Sequence, residues 1–105
     1  MSCYHDWMEL QQLRYVVAIA EKRNFTRAAE SCFVVQSALS HQIKALEKEL
    51  GTALFVRSSR RVELTPAGEA FLTEARISLA AADRAVAVAA EAVDQVRGSL
   101  SVGVI

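Results

Sequence analysis

The sequence predicts a mainly α-helical fold in which three short helices and a β-hairpin precede one long helix. Three observations support this fold class. Apolar residues recur at helical spacing in three segments between residues 9 and 50. A short arginine-rich segment at 55–65 alternates like a hairpin. The segment 66–97 is rich in alanine and keeps an apolar residue every three or four positions. At 105 residues, the chain has room for one small domain and this helix.

The first two helices are predicted from apolar spacing and from the residues at their ends. Segment 9–22 carries an apolar stripe, and Asn24 is placed to end it because asparagine tolerates the left-handed conformation. Thr26 is placed to cap a second helix that runs from 27 to about 33. The small residues of that second helix would let another helix cross closely.

Segment 36–50 is predicted to be the third helix and to have two different faces. Four apolar residues line its inner face: Leu39, Ile43, Leu46 and Leu50. The opposite face of its first turns is rich in hydrogen-bond donors and has no carboxylate; it holds Gln36, Ser37, Ser40, His41 and Lys44. Base edges and phosphates in the DNA major groove mostly require donors, and a glutamine amide can pair with adenine. The alternative is an ordinary amphipathic helix. With the short helix before it, this segment predicts a helix-turn-helix.

The segment after Gly51 predicts a hairpin that projects from the helices as a wing. Gly51 can take the left-handed position that ends the third helix. A cationic tip follows, with Arg57, Arg60 and Arg61, and the next residues, 62–65, alternate like a short strand. Three cations without an intervening acid suit a phosphate backbone or a minor groove, and a merely solvated loop is the alternative reading.

The long helix is predicted to start at Thr65-Pro66, because threonine caps helices and proline suits the first helical position. It carries a coiled-coil-like seam of eight residues: Leu72, Ala75, Leu79, Ala82, Val86, Ala89, Val93 and Val96. A helix over 66–97 would be far longer than this small domain could cover, so a second copy of the chain is the simplest partner. Gly98 is expected to end it, and 99–105 looks like a strand.

Charge is distributed unevenly although the formal net charge is zero. Residues 22–61 contain eight basic and three acidic residues, a net charge of +5, whereas residues from 66 onward have a net charge of −2. This distribution favours a polyanion-binding face joined to a separate interaction element. Cys3 and Cys32 are too few for a disulfide framework, which favours a reducing, cytoplasmic setting, and no apolar run is long enough to span a membrane.

In this order, the segments resemble the N-terminal part of a LysR-type transcriptional regulator. The resemblance runs from Met8 to the end of the chain, and the spacing between its blocks also agrees. The matching blocks are Met8-Glu9-Leu10, Leu13-Arg14-Tyr15, Phe25-Thr26-Arg27-Ala28-Ala29-Glu30, Gln36, Ala38-Leu39-Ser40, Gln42-Ile43, Leu46-Glu47, Glu49-Leu50-Gly51, Leu54-Phe55, Arg57 and Leu64-Thr65-Pro66-Ala67-Gly68.

The resemblance implies a division of the chain into four parts. These are an N-terminal extension at 1–7, a winged helix-turn-helix at 8–65, a linker helix at 66–97 that pairs two subunits, and the start of a truncated effector-binding domain at 98–105. It further implies that a dimer, or a tetramer in a full-length protein, binds pseudo-palindromic operator DNA and controls transcription without a cofactor. Helix 36–50 and wing 55–65 would make the contacts, with Thr26 and Arg27 added to the residues above. A small-molecule effector would act only through the absent C-terminal domain.

Three positions depart from the family pattern, which often has a small residue at Val35, proline at Ser37 and arginine at His41. Val35 has no side-chain cap to offer, so Gln36 or Ser37 is expected to cap the third helix. Imidazole is shorter than arginine and mostly neutral at pH 7, although a phosphate contact remains our expectation for His41.

Three other functions are weighed against DNA binding. A winged-helix module for protein or RNA contact is the alternative, but the outer face of 36–44 is neither acidic nor apolar. Catalysis is not expected, because Ser40 and His41 are neighbours on a helix and point about 100° apart. A thiol or metal sensor built from Cys3, Cys32, His5 or His41 stays open, although these residues lack the usual ligand spacing.

Overall fold

A computed structural model describes residues 8–58 and 61–104, with side chains described as far as residue 97. The order of elements is α1 (Leu10–Lys22), α2 (Phe25–Ser31), α3 (Gln36–Leu50), β1 (Phe55–Arg57), β2 (Val62–Leu64) and α4 (Pro66–Val104). The two strands are antiparallel, with Phe55 opposite Leu64 and Arg57 opposite Val62. The predicted mainly α, winged helix-turn-helix fold followed by a long helix is thereby confirmed.

The core lies where α1, α2 and α3 meet. Val16 and Ile19 of α1 and Leu39, Ile43 and Leu46 of α3 are all fully buried, and burial of each such side chain contributes about 1.5–3 kcal/mol. Small alanines in α2, Ala28 and Ala29, let it cross its neighbours closely. The predicted inner face of α3 is confirmed except at Leu50, which lies in the last turn and is 36% exposed.

The caps of α1 and α2 differ from the sequence prediction. Arg23, with φ 54°, takes the left-handed position that ends α1. Asn24 is extended, and its side-chain oxygen accepts a hydrogen bond from the Arg27 backbone N–H at 2.9 Å, so Asn24 and not Thr26 caps α2. The prediction placed both caps too late, because the two helices are only two residues apart and α2 already begins at Phe25.

The turn of the helix-turn-helix places one apolar side chain outside and the next inside. Phe33 has φ 60° and is 94% exposed, whereas Val34 packs against the core. A left-handed conformation at a bulky residue costs about 1–3 kcal/mol, which the surrounding contacts must offset. Val35 is the N-cap of α3, and over the described part of the chain no side chain caps that helix, so capping by Gln36 or Ser37 was wrong.

The wing is fixed at its base by the end of α3. Gly51 takes the left-handed C-cap position as predicted, with φ 77°. The Glu47 carboxylate then accepts hydrogen bonds from the backbone N–H groups of Leu54, at 2.8 Å, and Phe55, at 3.3 Å. Since these two residues lead into β1, a side chain of α3 holds the start of the wing.

The first turn of α4 is anchored to the same place. Thr65 caps the helix as predicted: its hydroxyl accepts from the Gly68 backbone N–H at 2.9 Å, and its own N–H donates to the Leu54 carbonyl at 3.0 Å. Gly68 lies so close to Leu54 that a Cβ atom there would be 2.0 Å from the Leu54 oxygen. Glycine is therefore required for the helix to approach the wing base.

Beyond its first turns, α4 leaves the core. Phe71 and Leu72 pack against the core, Ala75 is buried, and an Arg76–Glu21 ion pair of 3.9 Å links α4 to α1. From residue 83 to residue 97 every position is exposed. No helix in the described residues is both long enough and apolar enough to cross a membrane.

The helix continues past the predicted end, through Gly98 to Val104. The expected stop at Gly98 and the expected strand from 99 onward are therefore wrong as far as residue 104. Glycine inside a helix costs only about 1 kcal/mol. A helix satisfies its own backbone hydrogen bonds, whereas a strand needs a neighbouring strand. The two strands of the hairpin pair with each other in a two-stranded sheet. With 39 residues, α4 is about 58 Å long.

Candidate nucleic-acid interface

The outer face of α3 carries most of the predicted polar side chains into solvent. Gln36, Ser37, His41 and Lys44 are exposed, and Ser40 is half-buried. The adjoining Gln42 is exposed as well, but its Oε1 accepts a hydrogen bond from the buried Gln12 of α1 at 3.2 Å. The first two turns of α3 therefore present amide, hydroxyl, imidazole and ammonium groups on one accessible surface.

Thr26 of α2 lies beside the start of α3, and Arg27 follows it on the same helix. The Thr26 hydroxyl donates a hydrogen bond to Gln36 Oε1 at 3.0 Å, which the sequence did not predict. Arg27 is exposed and belongs to a surface with Lys22, Glu30 and Ser31. Thr26 and Gln36 also line a polar groove between the α1–α2 turn and the wing, together with Arg23, Asn24, Phe25, Ser58, Arg61 and Val62.

Arg57 and Arg61 of the wing have partners within the chain. The Arg57 guanidinium lies over the Phe25 ring, 4.2 Å from its centre, and Phe25 packs edge-to-face against Phe55. Arg61 Nε lies 3.0 Å from one oxygen of Glu63, and Arg23 Nη1 lies 3.1 Å from the other. Arg60 lies outside the described residues. The wing is thus tied to the α1–α2 turn, and the Val62 N–H adds a hydrogen bond to the Arg23 carbonyl at 3.3 Å.

Sequence reasoning missed Arg23 and Glu63 as parts of this surface. Glu63 lies two residues after Arg61, and the two side chains form an ion pair. Arg23 is 40 residues from Glu63 in sequence, so no local pattern connects them. Only the wing's position against the α1–α2 turn brings the three charges together.

No metal-binding cluster of three histidine, cysteine or acidic side chains occurs within residues 8–58 and 61–97. Cys32 is a free, half-buried thiol that packs against the core. His41 is exposed on the outer face of α3. Cys3 and His5, the other residues weighed for a sensor, lie outside the described part of the chain.

The predicted seam of α4 divides into two halves. Leu72, Leu79 and Ala82 are half-buried within the subunit, and Leu72 packs against the core. Val86, Ala89 and Val93 are exposed, at 71% for Val86 and 47% for Val93. The second half therefore offers a row of apolar side chains without cover from the rest of the subunit.

Comparison with known proteins gives consistent matches. The family model described as "Bacterial regulatory helix-turn-helix protein, lysR family" matches residues 10–69. The HTH-type transcriptional regulator BudR of Klebsiella aerogenes is 50% identical over 97 residues, which are 92% of this chain and 68% of that protein. The dual regulator OxyR of Escherichia coli K12 is 42% identical over 98 residues, covering 93% of this chain and 32% of OxyR.

Solved structures agree with these matches. The complex of the CbnR DNA-binding domain with DNA has a TM-score of 0.77 and 44% identity, covering 81% of this chain and 98% of that one. The BenM DNA-binding domain on catB site 1 DNA has a TM-score of 0.75 and 44% identity, covering 77% of this chain and 91% of that one. The chain spans about a third of several relatives, including the BudR of Raoultella terrigena, at 33%.

Proposed function

The chain belongs to the lysR family of bacterial regulatory helix-turn-helix proteins, and from this premise we propose that it binds pseudo-palindromic operator DNA as a dimer. It is the DNA-binding domain of a transcriptional regulator of that family, which is not a family of enzymes. The observation that carries the proposal is the exposed, donor-rich and acid-free outer face of α3 in its first turns. Protein or RNA contact is not favoured by any feature of that face.

In the proposed complex, the first turns of α3 enter the major groove. Gln36 reads a base edge, because its amide reaches further than a serine hydroxyl and can donate hydrogen bonds. Ser37, the half-buried Ser40, His41 and Lys44 contact phosphates beside that site. Together they fix the register of the helix on the duplex.

The wing contacts the backbone next to the groove that α3 occupies. Arg61 reaches a phosphate from its ion pair with Glu63, and Arg60 is proposed to add a cation at the tip. Arg57 has a different role: its guanidinium lies over the Phe25 ring, and this contact holds it in place. A stacked arginine loses less side-chain freedom on binding, so the stacking supports a defined contact.

The dimer is proposed to form along α4 through Leu72, Leu79, Ala82, Val86, Ala89 and Val93. Supporting this, the second half of the seam is apolar and exposed in the subunit, which is uncommon over a contiguous strip of surface. A tetramer and a small-molecule effector are proposed to involve a separate C-terminal domain.

Selection from a pool of random DNA tests this function. The whole chain is expected to enrich one site with two related half-sites in opposite orientation. Recovery of sequences without any common site would contradict sequence-specific binding.

Removing the Gln36 amide should weaken binding at the preferred site only. We expect Gln36→Ala to cost about 1–3 kcal/mol on the selected site and almost nothing on random DNA, because base contacts specify while phosphate contacts do not. Fluorescence anisotropy titrations on both duplexes measure the difference. Equal losses on the two duplexes would remove Gln36 from base readout.

Salt should weaken the complex in proportion to the number of phosphate contacts. With about three or four contacts in each subunit, the log–log slope of affinity against salt should lie near −5 to −7 for a dimer. Arg27→Ala should flatten it by about 1–2, since a dimer loses two cations. Arg84→Ala, which removes an exposed cation from the distal part of α4, is the matched control and should leave the slope unchanged. Equal slopes for wild type and Arg27→Ala would show that Arg27 does not contact phosphate.

A further inference from the structure

We propose that Thr26 is a positioning residue that decides which base Gln36 prefers, by holding the amide with its NH₂ group toward the DNA. The inference deepens the proposed function and rests on it. It assigns Gln36 to a base edge that offers acceptors, with guanine as the favoured partner. Thr26 acts here through Gln36 and makes no base contact of its own.

The Thr26 hydroxyl is available for this role because it does not cap α2. Asn24 caps that helix, so the threonine donor is free to turn toward α3. It donates to Gln36 Oε1 at 3.0 Å, a normal length for a bond between a hydroxyl and a carbonyl-type oxygen. The two residues are ten positions apart, and the crossing of α2 and α3 brings them together.

This bond sets the orientation of the whole amide group. The oxygen and nitrogen of a glutamine side chain diverge from the same carbon, so an oxygen held toward Thr26 directs Nε2 away from α2. Within the described residues, the only partner of the Gln36 side chain is Thr26, and Nε2 donates to no protein acceptor. Both side chains are exposed on the surface beside the wing groove. The side of the Gln36 amide that points away from α2 therefore carries the two N–H donors of Nε2.

The major-groove edges of the bases differ in how well they pair with an NH₂ group, which can only donate hydrogen bonds. Guanine presents two acceptors, N7 and O6, whereas adenine presents one acceptor and the N6 amino donor. The bidentate pairing of glutamine with adenine needs the amide oxygen at the base, and here the hydrogen bond from Thr26 holds that oxygen on the α2 side, away from the base. Guanine is consequently favoured over adenine, in contrast to the adenine pairing expected from residue type alone.

The test measures base preference and not only affinity. The whole chain first selects its site from random DNA, and Gln36→Ala identifies the base pair at which preference is lost. Wild type, Thr26→Val and Thr26→Ser are then titrated against four duplexes that differ only at that pair. Thr26→Val keeps the shape of the side chain but removes the donor, and Thr26→Ser keeps the donor. Thr73→Val is the matched control, because Thr73 is an exposed threonine whose hydroxyl donates to a carbonyl of its own helix α4.

We expect wild type, Thr26→Ser and Thr73→Val to prefer guanine over adenine by about tenfold or more, the discrimination of one good base contact. Thr26→Val should reduce that ratio to within about threefold, whereas a folding defect would weaken binding to all four duplexes alike and leave the ratio unchanged. Retention of the full guanine preference in Thr26→Val would overturn the inference. So would a wild-type preference for adenine, or a Gln36→Ala variant that loses preference at no position. Binding of wild type without any preferred site would overturn the proposed function, and this inference with it.

Discussion

Val86→Asp combined with Val93→Asp is expected to give a folded monomer that binds operator DNA at least about a hundredfold more weakly. Both valines are exposed in the subunit, at 71% and 47%, so the head formed by α1–α3 and the wing should fold as before. In a dimer, the seam would bury four carboxylates without partners, which is strongly unfavourable. Separate subunits lose the effective concentration that links two half-sites, and that linkage is worth about 10²–10⁴ in affinity.

A matched variant separates the seam from general effects of charge. Val88→Asp with Gln95→Asp adds the same charge to positions that each lie two residues after Val86 and Val93. Two residues correspond to about 200° around a helix, so the new charges lie on the side opposite the seam. This control should remain dimeric and keep most of its affinity. Light scattering measures mass and anisotropy measures binding. A dimer of unchanged mass in Val86→Asp/Val93→Asp would contradict the proposed interface.

Gly68→Ala is expected to lower the free energy of unfolding by about 2 kcal/mol. The new methyl group would lie 2.0 Å from the Leu54 carbonyl oxygen, and that oxygen already accepts a hydrogen bond from the Thr65 N–H. Backbone must therefore move at the base of the wing, and overpacking of this kind costs about 1–3 kcal/mol or more. The higher helix propensity of alanine returns only about 1 kcal/mol. Since this overlap involves two backbone segments, we place the overpacking cost at about 3 kcal/mol and the net loss at about 2 kcal/mol.

Urea denaturation followed by circular dichroism measures the effect. Thr73→Ala is the control on the same helix, at an exposed position, and should change stability by less than about 1 kcal/mol. Equal stability of Gly68→Ala and wild type would mean that α4 can withdraw from Leu54 without loss. That result would also remove the reason for glycine at this position.

Local chemistry explains why several elements could be predicted from the sequence. The inner face of α3 repeats at helical spacing, Gly51 takes a conformation that glycine adopts at low cost, and Thr65-Pro66 carries its capping information in adjacent residues. Such signals act within one or two turns of chain. For this reason the predicted bounds of α3 agree with the structure and the start of α4 was placed correctly.

Features that depend on distant residues could not be predicted in the same way. The ion pair between Arg23 and Glu63 and the stacking of Arg57 on Phe25 exist because the wing lies against the α1–α2 turn. The cap of α2 was assigned to the wrong residue because Asn24 and Thr26 are both good caps, and only the observed start of the helix distinguishes them. The donor face of α3 was visible from spacing, but the bond that orients Gln36 was not.

The exposed distal half of α4 has a consequence for how such a protein can evolve. Residues 83–97 are exposed in the subunit, so substitutions there hardly affect the stability of the head. With the dimer proposed above, subunit choice can change at positions such as Val86 and Val93 while the proposed DNA-contacting residues stay under separate selection. Two duplicated copies of the gene could in this way lose the ability to form mixed dimers before their DNA sites diverge.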